Sequence, residues 1–281
     1  MPTPRRPATF VDNYPATSYF VLTFLISWTC AFAVAAPPLF RHEALPRLTG
    51  IHMFPAMLLG PCLSSLALTA ILDGKAGLRD LFARLTRRRI LGVWYAVLAV
   101  PPVLVILVLS TLRTFVSPVY TPNRFWLGIF FGVPAGLLEE IGWMGFAFPR
   151  LIQCRDAFSS AIVLGLLWSL WHLPVINFLG AATPHGRYWL PFFLAFAAAM
   201  TAIRVLICWI YANTRSVLLA QLLHISSTSS LVVFSPAVSP AREVLWYAIY
   251  AATLWLIVLL IRGIYGTRLS ISGTQLRSRL L

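Results

Sequence analysis

Two adjacent carboxylates, Glu139 and Glu140, sit inside an apolar run that begins at Phe125. His172 and His224 lie inside two later apolar runs, and Thr228 follows His224 by four residues. Together these types can do acid–base chemistry. A carboxylate and an imidazole that grip one water can deprotonate it for attack on an amide carbonyl. A second imidazole and a hydroxyl can donate to the oxyanion that forms. Glu139, His172 and His224 also make a three-ligand set for a divalent metal such as zinc. Both routes end in peptide-bond hydrolysis within the membrane, and the residues alone leave the choice open.

The placement of the acids is what makes them informative. A charged group at the bilayer centre costs about 2.5–3.5 kcal/mol on insertion scales. A protonated acid there still needs a hydrogen-bond partner. A polar cavity inside a helical bundle meets that need; a helix-packing polar pair is the plainer alternative. Neighbouring residues on a helix point about 100° apart, so one Glu faces the reacting atom and the other supports it. Trp168 shares a face with His172, and His224 with Thr228, each pair being four residues apart.

The elements that must position these groups follow from composition. Of 281 residues, 59% are apolar and 11% charged, against roughly 25% charged in soluble domains. The mean hydropathy is +0.81. These values exclude a water-soluble enzyme, a disordered chain and a coiled coil. Apolar runs near the length of a bilayer crossing recur without the alternation of a membrane barrel. The fold class expected is all-α: a polytopic transmembrane bundle of about eight spans. They fall near 18–40, 51–72, 91–114, 125–148, 158–179, 188–211, 216–234 and 244–261. Residues 1–17 read as a leader, 18–264 as one transmembrane domain with its core at about 73–235, and 265–281 as a basic tail. Arg5, Arg6 and the Ala33-Val34-Ala35 triplet resemble a cleavable signal, but the long polar leader and the continuing apolar run favour a retained helix.

The charge balance is +14, from 22 Lys and Arg against 8 Asp and Glu. With the N-terminus inside, sixteen of the basic residues fall on the inner side and six on the outer. That bias places both termini in the cytoplasm and the chain in the cell membrane as a multi-pass protein. The segment Asp73–Arg89 carries much of it. Leu78, Leu81, Phe82 and Leu85 recur there at helical spacing, as in an amphipathic helix at the inner surface. The partners expected are the lipid bilayer and a peptide or protein substrate. No basic face interleaves with stacking aromatics, so nucleic acid is excluded. Cys30, Cys62, Cys154 and Cys208 form no C-x-x-C pair and read as isolated thiols.

The residues around the acids resemble a known family. Glu139-Glu140-Ile141-Gly142-Trp143-Met144-Gly145-Phe146, ending in Pro149-Arg150-Leu151, is similar to the E-E-x-x-x-R signature of the CPBP intramembrane proteases, the type II CAAX-prenyl endopeptidases and bacteriocin-processing enzymes. Trp168-Ser169-Leu170-Trp171-His172 resembles their F/W-x-x-x-H motif. The stretch from Trp209 through Leu222-Leu223-His224 resembles the approach to their H-x-x-x-N motif. The resemblance covers about 73 to 230. It implies a membrane endopeptidase whose cavity opens toward the cytoplasm, with Glu139 and His172 activating water and His224 and Thr228 stabilising the oxyanion. It leaves metal-assisted and metal-free glutamate mechanisms both open.

Two positions depart from the family pattern. Thr228 stands where the third motif has Asn, keeping one donor. Met144 stands where the first has Arg, which takes a cation from beside the Glu pair. Arg204, inside the sixth apolar run, can supply it by reaching Glu140; the plainer reading has Arg204 snorkelling to the inner surface. These departures also admit a catalytically impaired member acting as a membrane scaffold or immunity protein. A proton-coupled transporter using the same acids and imidazoles is a further reading, without the repeats and broken helices such proteins often show.

Overall fold

The computed structural model describes residues 9–43, 49–178 and 185–270. Most of the leader's first half, residues 1–8, and of the tail, 271–281, lies outside the described residues. The described residues form helices and no strand. The main helices are α1 (Pro15–Phe40), α2 (Thr49–Met57), α3 (Leu59–Leu85), α4 (Val100–Phe115), α5 (Ile129–Gly142), α6 (Ala157–Trp171), α7 (Trp189–Thr214), α8 (Val217–Phe234) and α9 (Pro240–Tyr265).

Among the described residues, seven helical stretches are long and apolar enough to cross a membrane, with α2 and α3 forming one of them. The fifth expected span differs. Its α-helix, α6, runs only 15 residues, because Pro174 lacks an N–H and disfavours helical backbone before it. The chain continues past His172 as a wide π-helical turn, Pro174–Phe178. The second expected span is longer than its apolar run. The helix passes 72 and reaches Leu85, kinked at Gly74, whose φ of 60° suits a residue without a Cβ. Beyond the kink Leu81 is buried while Phe82 is 67% exposed, so not all of the four expected apolar positions face inward.

Small residues set how closely the helices approach. A Cβ on Gly132 would overlap Ser229, and one on Gly136 would lie 2.7 Å from the Gln221 carbonyl oxygen, so α5 and α8 meet almost backbone to backbone. Gly165 of α6 packs the same way on Thr201 of α7. Hydroxyls tie the outer helices in: Ser27 Oγ donates to the Met57 carbonyl (2.6 Å) and Ser65 Oγ to that of Ile141 (2.9 Å). The result is a buried seam along α5, α6, α7 and α8, which are the helices bearing the candidate chemistry.

α6 starts where Asp156 caps it. The Asp156 carboxylate accepts from the Ser159 N–H (2.9 Å) and hydroxyl (2.7 Å). These bonds, the backbone one first, hold the Asp156 carboxyl below its ordinary range. A depressed carboxyl stabilises the fold above its unfolded-state pKa and loses that contribution as pH falls through the folded value. Asp156→Ala should therefore lower stability by about 1 kcal/mol at neutral pH. The difference from wild type should shrink in acid, as read by thermal unfolding in detergent.

Candidate active site

α5 delivers both acids into the seam, where Glu139 is 1% and Glu140 0% exposed. Just after them the helix widens into the π-helical turn Trp143–Ala147, a distortion common at functional sites. The two acids have different partners, as expected of neighbours on a helix. Glu139 Oε2 accepts from the indole N–H of Trp168 (2.7 Å) and of Trp143 (3.1 Å). Glu140 is gripped through both oxygens by Nη1 of Arg204, at 2.7 and 2.8 Å. Its Oε1 also accepts from Nδ1 of His224 at 2.7 Å.

Arg204 therefore supplies the cation that Met144 does not. The snorkelling alternative is excluded, since the side chain is fully buried in its ion pair with Glu140. Its Cζ lies 4.1 Å from the centroid of the Trp168 ring, a cation–π contact. Met144 itself is 0% exposed.

The tautomers follow from these contacts. His172 Nδ1 lies 2.7 Å from the carbonyl oxygen of Trp168. An oxygen that only accepts requires Nδ1 to carry the proton, so Nε2 of the neutral ring holds a lone pair. His224 Nδ1 donates to a carboxylate in the same way. The imidazole is oriented by Glu140, the arrangement by which a buried carboxylate orients a general base.

Trp168 is the joint of the cluster. Its N–H binds Glu139, its carbonyl binds His172, its face covers Arg204, and its ring lies edge-on to both His172 and His224 at 5.1 Å between centroids. One side of it forms the wall of a cavity of about 450 Å³, lined also by His172, Thr228, Phe196, Met200 and Tyr247. Glu139, Glu140 and His224 are not among the lining residues. The structure thus brings Glu140 and His224 into direct contact, links Glu139 to His172 through Trp168, and puts His172 and Thr228 on the cavity.

A single shared centre for Glu139, His172 and His224 is not what forms. Among the described residues no three His, Cys, Asp or Glu side chains gather as metal ligands. Both histidine Nδ1 atoms are engaged, and Glu139 Oε2 is held by two indoles. Each Nδ1 bond leaves Nε2 free, as in a ligating histidine; what departs from the three-ligand zinc site expected from the sequence is that the three side chains do not gather among the described residues.

Sequence reasoning named Trp168 as a neighbour of His172 but missed both indoles as partners of Glu139. Trp143 had a signal, standing four residues after Glu139 on the same helix face. The bond from Trp168 has none, since it crosses from α6 to α5.

Comparison with known proteins finds similarity over the segment that carries these residues. Residues 121–229 match the family model described as type II CAAX prenyl endopeptidase Rce1-like. A curated relative, "CAAX prenyl protease 2" of Methanococcus maripaludis, is 32% identical over 94 residues. That match covers 32% of this chain and 34% of the relative, so the chain matches about a third of the relative's length. The matched segment contains α5, α6, α7 and most of α8, with every candidate site residue in it. Through this core the chain is similar to the Rce1-like type II CAAX prenyl endopeptidases.

Proposed function

We propose that the protein is an intramembrane endopeptidase that cleaves a membrane-associated or prenylated-like peptide with water activated by Glu139 and His172. The observation that carries the reading is His172, whose Nδ1 is locked by the Trp168 carbonyl and whose ring lines the cavity with an unprotonated Nε2. In this mechanism Nε2 takes a proton from the attacking water as the hydroxide oxygen bonds to the amide carbon. Glu139, linked to His172 through Trp168, supplies the negative charge that steadies the imidazolium. The Thr228 hydroxyl, on the cavity wall, donates to the developing oxyanion. His224, oriented by the Glu140 carboxylate that Arg204 holds, stands one helical turn from Thr228 on the same helix. Collapse of the tetrahedral intermediate breaks the C–N bond, and the imidazolium of His172 gives its proton to the leaving amine.

The relative's name points to a CAAX-type prenylated peptide as the first substrate to try. The test is cleavage of a fluorogenic farnesylated CAAX peptide by the purified full chain in lipid nanodiscs, with and without a chelator. Turnover that disappears in His172→Ala and survives chelation is the expected result. Turnover abolished by chelation and restored by zinc would overturn the metal-free mechanism. Turnover unchanged in His172→Ala would overturn the assignment of the base.

A further inference from the structure

Where α3 and α7 stop and α1 begins, the helices enclose a basin of about 760 Å³. Asp12, Asp73 and Asp80 line it together with Arg84, Arg87, Arg150 and Arg215. None of the candidate catalytic residues lines it.

The acids of the basin are already engaged. Asp80 accepts from Arg84 Nε (2.8 Å), and Asp73 from Arg150 Nη2 (2.6 Å). Asp12 accepts from the Thr9 N–H (2.7 Å) and hydroxyl (2.6 Å). The two paired arginines are held firmly, each with a side chain only 15% exposed. Arg84 Nη1 also donates to the Gly145 carbonyl (3.0 Å) and the Tyr211 hydroxyl (2.9 Å), and the Arg150 guanidinium lies 3.8 Å from the centroid of the Phe146 ring. Arg87 and Arg215 are different: both are exposed, and among the described residues they pair with no carboxylate. Tyr211, 1% exposed, uses its hydroxyl oxygen as an acceptor and keeps a proton to give. Two uncompensated guanidiniums and a hydroxyl around one basin make a site for an oxyanion such as phosphate.

The surroundings indicate which phosphate. Ile71 and Phe82 are each 67% exposed, Phe10 61% and Tyr14 56%. Each stands within two residues of a basin wall: Ile71 beside Leu72, Tyr14 beside Pro15, Phe10 near Asp12 and Phe82 between Asp80 and Arg84. On membrane-crossing helices such side chains face lipid, and aromatics gather at headgroup level. We infer that the basin binds the phosphate of an anionic phospholipid, whose acyl chains lie against these flanking apolar residues. Arg87 and Arg215 hold the phosphate, and the Tyr211 hydroxyl donates to one of its oxygens. Because α1, α3 and α7 all contribute, the bound lipid stabilises the bundle at this end.

The delipidated full chain in neutral detergent tests this. Phosphatidylglycerol, phosphatidylcholine or inorganic phosphate is added, and binding is read by thermal unfolding and native mass spectrometry. Phosphatidylglycerol should raise the unfolding temperature saturably and remain bound one to one; phosphatidylcholine and inorganic phosphate should do neither at the same concentration. Arg87→Gln with Arg215→Asn should weaken phosphatidylglycerol binding by roughly tenfold or more. Asn suits the left-handed backbone at position 215, where φ is 53°. Should that pair misfold, Arg87→Gln alone should still weaken binding about fivefold. Arg88→Gln with Arg89→Gln, at exposed arginines outside the basin, should leave binding unchanged. Undiminished binding in the basin variants, or an equal loss in the Arg88 and Arg89 variant, overturns the site. Inorganic phosphate that matches the lipid's shift would show that the basin takes the free oxyanion and overturns the lipid.

Discussion

Glu139→Gln is expected to slow peptide cleavage by at least about 10²-fold, within the 10²–10⁴ range of a lost acid–base participant. The substitution is nearly isosteric, and its amide oxygen still accepts from the indoles of Trp143 and Trp168. Folding should therefore be preserved while the negative charge near His172 is lost. His172→Ala should cost as much or more, because it removes the nitrogen assigned to take the proton. The double variant should be little slower than His172→Ala alone, since groups acting as one unit are not additive. Initial rates on the nanodisc-bound enzyme, with thermal unfolding as the control, measure all three. Two independent losses that multiply would show that Glu139 acts elsewhere than through His172. Full activity in Glu139→Gln would overturn the role assigned to its negative charge.

Arg204→Met should be the most damaging single change to stability. It leaves Glu140 buried with only His224 for a partner, and breaking a buried ion pair by removing one member typically costs about 3–5 kcal/mol. Cleavage should fall as well, because His224 is oriented by the carboxylate that Arg204 holds. Two second-site changes separate these effects. Adding Glu140→Gln removes the stranded charge, so stability should largely return while activity stays low. Adding Met144→Arg restores the cation on the helix where the family motif carries it, so stability and part of the activity should both return. Thermal unfolding of the four proteins forms the cycle. Arg204→Met as stable as wild type would mean that the Glu140 contact carries no net weight. Failure of Met144→Arg to recover anything would show that the π-helical turn after Gly142 has moved position 144 out of reach of Glu140.

Much of the molecule was legible before any coordinates. Among the described residues, seven of the eight expected spans correspond to long apolar helices, because the bilayer sets a similar length for every crossing. The candidate site stood out because an acid or imidazole in an apolar run is costly anywhere in the fold, a property of residue type and neighbours alone. The cation for Glu140 was also readable, since Arg204 was the one arginine well inside a run and Met144 had left a charge to be matched.

What could not be read was direction. These helices are apolar on nearly every face, so no stripe in the sequence tells which side turns inward. That is decided by close packing, at Gly132 and Gly136 against α8 and at Gly165 against Thr201. Those contacts rotate Glu140 toward a side chain 64 residues away and His224 toward the same carboxylate. They also place Trp168 between Glu139 and the histidines, which replaces the expected shared centre with a linked chain of contacts. The fifth run was counted as a full span, but its helix is interrupted just past His172 because Pro174 follows. The sequence by itself determined which residues are out of place in a membrane and how many helices carry them. Only the tertiary structure decided who meets whom and which side chains line the cavity, because helix rotation and cavity shape arise from contacts between segments distant in the chain.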